Sequence, residues 1–338
     1  MGVTFPGLEW ERVSPAEAGF DAAKLEGARR WLDDRVGEGR YRVVIVRGGR
    51  VAVEWNRGIQ GDAQLWLASA AKSVFSSILG ILIEEGKIPS ADAKVVDYYP
   101  EAMDVPEGEG PKEGRYVFEK DRAITFRQLI SNTSGYMKPG EEPGKVFHYQ
   151  TYGMNILTHA MAKMHGLYDI RDPEGSPGFK ELVEEKLRMP IDATWGYYLA
   201  NFDLHPGARI HVFGYYDGIA CTALDMARLG WLWRTGGRWN DSQLIPAAWL
   251  EEATSVAPDI RANCPPEQRQ YGYGFWTNEY GLIWPTLPRD AYAASGAGQQ
   301  HIWVCPSLDM VVVQSPGLYK EQHDNDTGLL RSVVDALT

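Results

Sequence analysis

The chain has 338 residues, of which 44% are hydrophobic, so it can build one large domain or two interlocked domains around a sizeable core. Its formal net charge is −11, and no basic patch interrupts this acidic balance. These properties argue against nucleic acid or an anionic membrane surface as a partner.

Cysteine usage and the apolar runs indicate the compartment. Cys221, Cys264 and Cys305 lie far apart without metal-ligand spacing, which favours free thiols in a reducing compartment over a disulfide framework. The first twelve residues contain no apolar core of the kind that a secretory signal requires. The longest apolar run, residues 74–83, is too short to span a bilayer. We expect a cytoplasmic protein.

The first ninety residues mix helix and strand. A capping-box pattern at Ser14-Pro15-Ala16-Glu17 precedes a helix that is predicted over residues 21–36. Two β-branched runs, residues 41–47 and 50–55, flank Gly48-Gly49 and predict a β-hairpin. Residues 69–85 are rich in Ala, Leu and Ile and predict a mostly buried helix.

Strand patterns nearly vanish over the middle of the chain. Helices are predicted at residues 124–130, 152–165 and 179–189, with long polar loops between them. We expect the loops at residues 106–123 and 169–178 to shape a pocket. The stretch from residue 89 to residue 206 is therefore predicted to be an inserted all-α domain.

Strands return in the last third. Helices are predicted from Thr222 to Gly236 and from Pro246 to Thr254, and a final helix near residues 327–337. Strands are predicted at residues 271–276, 301–305 and 309–315. The fold class is thus α+β: the two chain ends, residues 1–88 and 207–338, form one antiparallel sheet flanked by helices, and residues 89–206 form the helical domain.

Ser69 and Lys72 are the first candidates for chemistry. Their spacing places hydroxyl and amine on one face at the start of the predicted helix. A serine becomes a useful nucleophile when a neighbouring base takes its proton, and a lysine just inside an apolar helix can serve. The helix N-terminus and the serine's own N–H would stabilise developing negative charge. Ser-x-x-Lys alone is a weak motif, so its context decides.

Tyr149 supplies that context, because it stands just ahead of a predicted helix in Phe147-His-Tyr-Gln-Thr151. Together with Ser69-Ala-Ala-Lys72, this phrase resembles the serine β-lactamase and penicillin-binding protein superfamily, specifically the class C β-lactamase-like esterases and amidases. Further phrases follow in the family's order, at residues 124–135, 222–230, 271–274 and 304–313. The resemblance covers residues 14–313 and implies an active site between the two predicted domains.

The third motif of that family is Lys or His, then Thr or Ser, then Gly, and it matches Ala294-Ser295-Gly296. The resemblance implies that Ser295 and Gly296 bind substrate. It also implies that the N–H groups of Ser69 and Ala297 form an oxyanion hole.

Two departures from the family bear on the substrate. Thr151 stands where the second motif has Asn, so the resemblance implies that it binds substrate, but its single hydroxyl imitates an amide only in part. Ala294 carries no charge for a substrate carboxylate, although His301 is a candidate for the missing cation. Both losses disfavour penicillins and cell-wall peptides, and they favour an ester or a small neutral amide.

The resemblance therefore predicts a serine hydrolase with an acyl-enzyme intermediate. Ser69 is the expected nucleophile, and either Lys72 or Tyr149 is the general base. The most favoured activity is that of a carboxylesterase on a small-molecule substrate. The alternatives are an amidase, a D-amino-acid peptidase or a weak β-lactamase, or a catalytically silent binding module of the same fold.

Other kinds of site find little support in the sequence. His159 and His165 lack the His-Glu-x-x-His frame of a zinc site, so neither a metal nor another cofactor is expected. Gly-x-Ser-x-Gly does not occur, which disfavours an α/β-hydrolase. Oligomeric state is not indicated by any of these patterns.

Overall fold

The strands and helices follow the hydrophobic patterns of the sequence along most of the chain. The structure, a computed structural model, describes residues 3–201, 207–318 and 328–338. Its strands are β1 (Tyr41–Arg47), β2 (Arg50–Arg57), β3 (Leu65–Trp66), β4 (Gly196–Asn201), β5 (Tyr215–Cys221), β6 (Arg238–Trp239), β7 (Ser242–Gln243), β8 (Trp276–Thr277), β9 (Tyr292–Gly296), β10 (Gln300–Cys305) and β11 (Met310–Gln314). Its α-helices are α1 (Ala22–Val36), α2 (Ala71–Glu84), α3 (Phe126–Ile130), α4 (Tyr152–Lys163), α5 (Lys180–Val183), α6 (Ile210–Phe213), α7 (Ala223–Arg234), α8 (Ala247–Ala253), α9 (Pro258–Asn263) and α10 (Arg331–Asp335).

The main sheet is built from both ends of the chain, as predicted. Its six strands run in the order β2-β1-β11-β10-β9-β8, and every neighbouring pair is antiparallel. Val43 of β1 pairs with Gln314 of β11, which joins the N-terminal hairpin to the C-terminal strands. The α+β class with an antiparallel sheet flanked by helices is confirmed.

Helices cover both faces of this sheet. On β1, Val44 and Val46 belong to the core cluster that contains α2 and α7. Val43 and Ile45 belong to a second cluster on the other face, with residues of α1 and α10. A strand that is buried on both faces needs apolar residues at nearly every position, which explains the continuous run in β1.

Helix α2 lies in the first of these cores, and close packing explains why it contains a glycine, Gly80. A Cβ atom built on Gly80 would lie 2.3 Å from Cδ1 of Trp249, so the indole of α8 rests directly on the helix backbone. The indole Nε1 of Trp233 in α7 donates to Ser77 Oγ at 3.0 Å. The absence of a side chain at residue 80 thus costs helix propensity but permits close packing.

The stretch that was predicted to be all-α contains a strand. β4 forms a second antiparallel sheet in the order β3-β5-β4, together with β5, which the sequence also did not reveal. In β5, Asp217 and Gly218 interrupt the apolar pattern, and β3 has two residues. The helical assignment of residues 89–206 is therefore wrong at β4, while the division into two domains stays a prediction.

Smaller differences concern the ends of elements. The capping box predicted at Ser14 forms: Glu17 N–H donates to Ser14 Oγ at 3.3 Å, and Ser14 N–H donates to the Glu17 carboxylate at 2.8 Å. It stabilises a turn and not the start of a helix. The strand predicted at residues 271–276 is reduced to β8 and an isolated bridge, because Gly274 takes a left-handed φ of 81°. The final helix is shorter than predicted, and Thr327 lies outside the described residues.

The cysteines and the helices bear on two further expectations. Cys221, Cys264 and Cys305 are buried and unpaired, so the free-thiol prediction is confirmed. Within the described ranges, none of the helices combines the length and the apolar character that a membrane crossing requires.

Candidate active site

Ser69 lies in a short 3-10 turn, Ala68–Ala70, that leads directly into α2. Lys72 follows in the first turn of α2, and its Nζ donates a hydrogen bond to Ser69 Oγ at 2.7 Å. The Lys72 residue is buried, with 3% of its surface exposed, whereas Ser69 is half-buried. The helical spacing has therefore brought hydroxyl and amine together, as expected.

The backbone immediately before Ser69 is strained. Ala68 has a φ of 50°, in the left-handed region that non-glycine residues rarely adopt. The turn is held from outside by the N–H of Leu67, which donates to the carbonyl of Ile219 in β5 at 2.8 Å. Strain of this kind costs about 1–3 kcal/mol and concentrates at functional sites, where the surrounding structure maintains it.

Strand β9 runs against this turn at Gly296. A Cβ atom built on Gly296 would lie 2.1 Å from the carbonyl oxygen of Leu67 and 3.1 Å from the backbone nitrogen of Ser69. A glycine is needed here for close approach of two backbones. Ser295, Gly296 and Ala297 consequently line the same cavity as Ser69.

Gly296→Ala is expected to slow the labelling of Ser69 by a fluorophosphonate roughly 10- to 100-fold, because the methyl group must push β9 or the Ser69 turn aside. Overpacking should also lower the free energy of unfolding by about 1–3 kcal/mol. Gly27→Ala is the matched control, since nothing lies within 4 Å of a Cβ there. Unchanged labelling by Gly296→Ala would contradict the close contact between β9 and the turn.

Tyr149 reaches the cavity from an irregular segment just before α4. Its ring centroid lies 5.0 Å from Lys72 Nζ, and the ring stacks on Trp276 with 5.6 Å between centroids. Tyr149 and Ser69 line one cavity, so the structure brings all three predicted catalytic side chains to the same place. Thr151 stands directly before α4 and is not among the described residues that line the cavity.

The cavity itself has a volume of about 460 Å³ and an uncharged wall. Its described lining residues are Ser69, Tyr149, Gln270, Trp276, Leu282, Ile283, Trp284, Ser295, Gly296 and Ala297. Four of these, Gln270, Leu282, Ile283 and Trp284, were not expected. They come from irregular segments around β8, and no periodic pattern in the sequence marks them. The loops at residues 106–123 and 169–178, which were expected to shape the pocket, supply none of its described lining residues.

Ala294 stands where the third motif of the family has Lys or His, and it carries no charge. Ala294 is fully buried. His301 lies on β10 opposite the next residue, Ser295, and its Nδ1 is 2.8 Å from Ser295 Oγ. Burial lowers the pKa of His301 to about 3, so its imidazole is neutral at neutral pH. The idea that His301 supplies the missing cation is therefore wrong. In the described part of the chain, no group of three or more His, Cys, Asp or Glu residues is arranged to hold a metal ion.

Comparisons with known proteins agree with this geometry. Residues 28–325 match the Beta-lactamase family model. The 6-aminohexanoate-dimer hydrolase of Paenarthrobacter ureafaciens is 25% identical over 319 residues, covering 87% of this chain and 78% of that protein. Two solved structures share the fold. One is a candidate 6-aminohexanoate-dimer hydrolase from Bacillus anthracis, with a TM-score of 0.67, 18% identity, and coverage of 97% of this chain and 88% of that chain. The other is a family VIII carboxylesterase, with a TM-score of 0.63 and 16% identity; the match covers 94% of this chain and 99% of that chain.

The resemblance inferred from the motifs is confirmed: the chain belongs to the beta-lactamase family and is a serine hydrolase.

Proposed function

We propose that this protein is a carboxylesterase that hydrolyses small neutral esters through an acyl-enzyme on Ser69. The observation that carries the proposal is the 2.7 Å hydrogen bond between Lys72 Nζ and Ser69 Oγ at the wall of an uncharged cavity. A serine paired with a buried amine is an activated nucleophile, and the cavity gives a substrate carbonyl room to reach it.

Acylation begins when Ser69 Oγ attacks the ester carbonyl carbon and its proton passes to Lys72 or Tyr149. The N–H groups of Ser69 and Ala297 donate hydrogen bonds to the resulting oxyanion. Collapse of this intermediate breaks the ester bond, and the alcohol leaves with a proton from the same acid–base group. Water then attacks the acyl-enzyme, which releases the carboxylic acid and restores Ser69.

Lys72 and Tyr149 share the proton transfers in this proposal. Lys72 contacts the nucleophile directly, and its Nζ atom lies over the Tyr149 ring. Tyr149 is the contribution of residues 89–206 to the cavity, while Ser69 and the strand β9 come from the rest of the chain. This supports the proposed division into two domains with the site between them.

The wall of the cavity indicates the substrate class. Trp276, Leu282, Ile283 and Trp284 offer apolar surface, and Gln270 and Ser295 offer neutral hydrogen-bonding groups. An apolar wall stabilises an uncharged acyl or alcohol group by removing its surface from water. A substrate carboxylate would be desolvated there without a cation among the described lining residues, which is costly.

An amidase is the second candidate, because the Paenarthrobacter relative is a 6-aminohexanoate-dimer hydrolase. The linear dimer of 6-aminohexanoate carries a charged group at each end. Among the described residues, the cavity wall offers neither end an opposite charge. The same argument disfavours D-amino-acid peptides and β-lactams, because they also carry a carboxylate. The ester therefore ranks first.

A substrate panel tests the proposal. We expect kcat/KM for a p-nitrophenyl ester of a short fatty acid to exceed the values for the 6-aminohexanoate dimer, a chromogenic cephalosporin and a D-alanyl peptide by about 100-fold or more, which corresponds to roughly 2.7 kcal/mol of transition-state stabilisation. A higher value for the dimer would assign the amidase. Hydrolysis of none of the four, together with absent fluorophosphonate labelling, would overturn the hydrolytic site at Ser69.

We also propose a cytoplasmic location. The support is the set of three buried, unpaired cysteines, since proteins of oxidising compartments more often pair their cysteines. Cell fractionation with an antibody against the protein checks this, and recovery from an oxidising compartment would contradict it.

A further inference from the structure

The segment that carries Tyr149 has no regular secondary structure of its own. Residues 146–150 belong to neither a helix nor a strand. The position of Tyr149 in the cavity therefore depends on hydrogen bonds that this backbone makes with other parts of the molecule.

One residue accepts from the amides on both sides of Tyr149. The N–H of His148 donates to the backbone carbonyl of Asn132 at 2.9 Å. The N–H of Gln150 donates to the side-chain oxygen Oδ1 of Asn132, also at 2.9 Å. Asn132 is almost fully buried, with 2% of its surface exposed, so both bonds are sheltered from water. The backbone on either side of Tyr149 is thus held by a single asparagine.

The end of helix α3 explains why Asn132 can do this. Asn132 N–H donates to the carbonyl of Leu129 at 3.1 Å, and Thr133 N–H donates to the carbonyl of Gln128 at 2.9 Å. These two bonds form a Schellman motif, which requires a left-handed residue after the helix, and Asn132 has a φ of 58°. Asparagine is one of the few side chains that adopt this conformation readily. The helix end therefore turns the carboxamide and the carbonyl of Asn132 toward the Tyr149 segment.

The neighbouring side chain of Gln150 is anchored in the same place. Its Nε2 donates to Ser134 Oγ at 3.2 Å, and its Oε1 accepts from Arg115 at 3.0 Å. Asn132 and Ser134 belong to the phrase Ser-Asn-Thr-Ser-Gly, for which the catalytic scheme above has no role. The buried residues Asn132 and Ser134 of this phrase thus hold residues 146–150 in place through hydrogen bonds.

We propose that Asn132 is a positioning residue that holds Tyr149 against Lys72 and Ser69. The proposal rests on the proposed function, because it assigns Asn132 a part in the reaction through Tyr149. Asn132 is not among the described residues that line the cavity. Its carboxamide keeps the Tyr149 ring beside Lys72 Nζ, at the cavity that Ser69 also lines.

Asn132→Gly separates this role from the capping of α3. Glycine accepts the left-handed conformation and keeps the backbone carbonyl, so the Schellman motif remains, but the bond from Gln150 N–H is lost. We expect kcat for the ester to fall about 10- to 100-fold with KM changed less than about twofold, because a displaced catalytic group lowers the rate without weakening substrate binding. Asn240→Gly is the matched control, since Asn240 is an exposed asparagine in the same left-handed conformation.

A double-mutant cycle with Tyr149→Phe distinguishes positioning from general damage to the fold. If Asn132 acts through Tyr149, Asn132→Gly should lower kcat in the wild type but change it less than about twofold in the Tyr149→Phe background. Equal losses in both backgrounds would overturn the proposal. So would an Asn132→Gly protein with the kcat of the wild type.

Hydrogen exchange gives a readout that does not depend on the reaction. In Asn132→Gly, the amide of Gln150 should exchange at least about 10-fold faster, while the amides of residues 132 and 133 keep their protection. Unchanged protection of the Gln150 amide would overturn the positioning role of Asn132. If Tyr149→Phe keeps full activity while the Gln150 amide loses protection in Asn132→Gly, then Asn132 does hold the Tyr149 segment, and the catalytic role of Tyr149 in the proposed function is wrong.

Discussion

Ser69→Ala is expected to lower kcat/KM for a p-nitrophenyl ester by about 10⁴- to 10⁶-fold and to abolish labelling by a fluorophosphonate, because the hydroxyl that Lys72 contacts at the cavity wall is removed. The substitution should leave the free energy of unfolding within about 1 kcal/mol of the wild type, since a single hydrogen bond is lost. Steady-state kinetics, labelling followed by mass spectrometry and thermal denaturation measure these effects.

Ser76→Ala is the matched control for the nucleophile. It removes a hydroxyl from the same helix α2, where Ser76 Oγ is buried and has no hydrogen-bond partner in the described part of the chain. Its kinetics should equal those of the wild type. Persistent labelling of the Ser69→Ala protein would place the nucleophile at another residue, and the assignment of Ser69 would then be wrong.

Lys72→Met is expected to lower kcat by about 10²- to 10⁴-fold, which is the range for loss of a general base. Methionine fills most of the space of the buried lysine without a polar end group, so the protein should be as stable as the wild type or more stable. Lys87→Met replaces an exposed lysine just beyond the same helix and should change neither property.

The size of the Lys72→Met effect also decides between the two candidate bases. A kcat within about tenfold of the wild type would contradict proton transfer through Lys72 and leave Tyr149 as the base. A loss of 10²-fold or more, together with a smaller loss in Tyr149→Phe, would assign the base to Lys72. Comparison of the two variants over a range of pH separates the loss of a base from the loss of a partner that orients it.

Much of the main sheet and of helix α2 could be predicted because their determinants lie close together in the sequence. The β1–β2 hairpin follows from two β-branched runs around Gly48-Gly49, and the capped start of α1 at Asp21 follows from local hydrogen bonds. The Ser69–Lys72 contact depends on helical spacing alone. Each of these features needs little information from distant residues.

The missed elements depend on distant partners. β3 has two residues and gains its stability from pairing with β5, in which Leu65 lies opposite Cys221. β4 in turn pairs with the other edge of β5. A short strand without clear alternation resembles a loop until its partner is known. The second sheet could therefore not be predicted from local patterns.

The same limit applies to the cavity. Ser69, Tyr149 and Ser295 were found because motifs mark them, whereas Gln270 and Trp284 line the cavity only through the path of irregular segments. Asn132 was part of a recognised phrase, but its contact with the Tyr149 segment joins residues that no periodicity relates. Tertiary geometry decides which loop residues face a substrate.

The pairing of β1 with β11 has a consequence for biosynthesis. Val43 and Gln314 lie opposite each other, so about 270 residues must be translated between them. At ribosomal rates of roughly 5–20 residues per second, the N-terminal hairpin waits about 15 to 50 s for its neighbour in the sheet. Throughout that interval the nascent hairpin presents an open, apolar edge, which is a target for chaperones and a risk for aggregation. Completion of the sheet is therefore expected to follow synthesis of the hairpin by at least that interval.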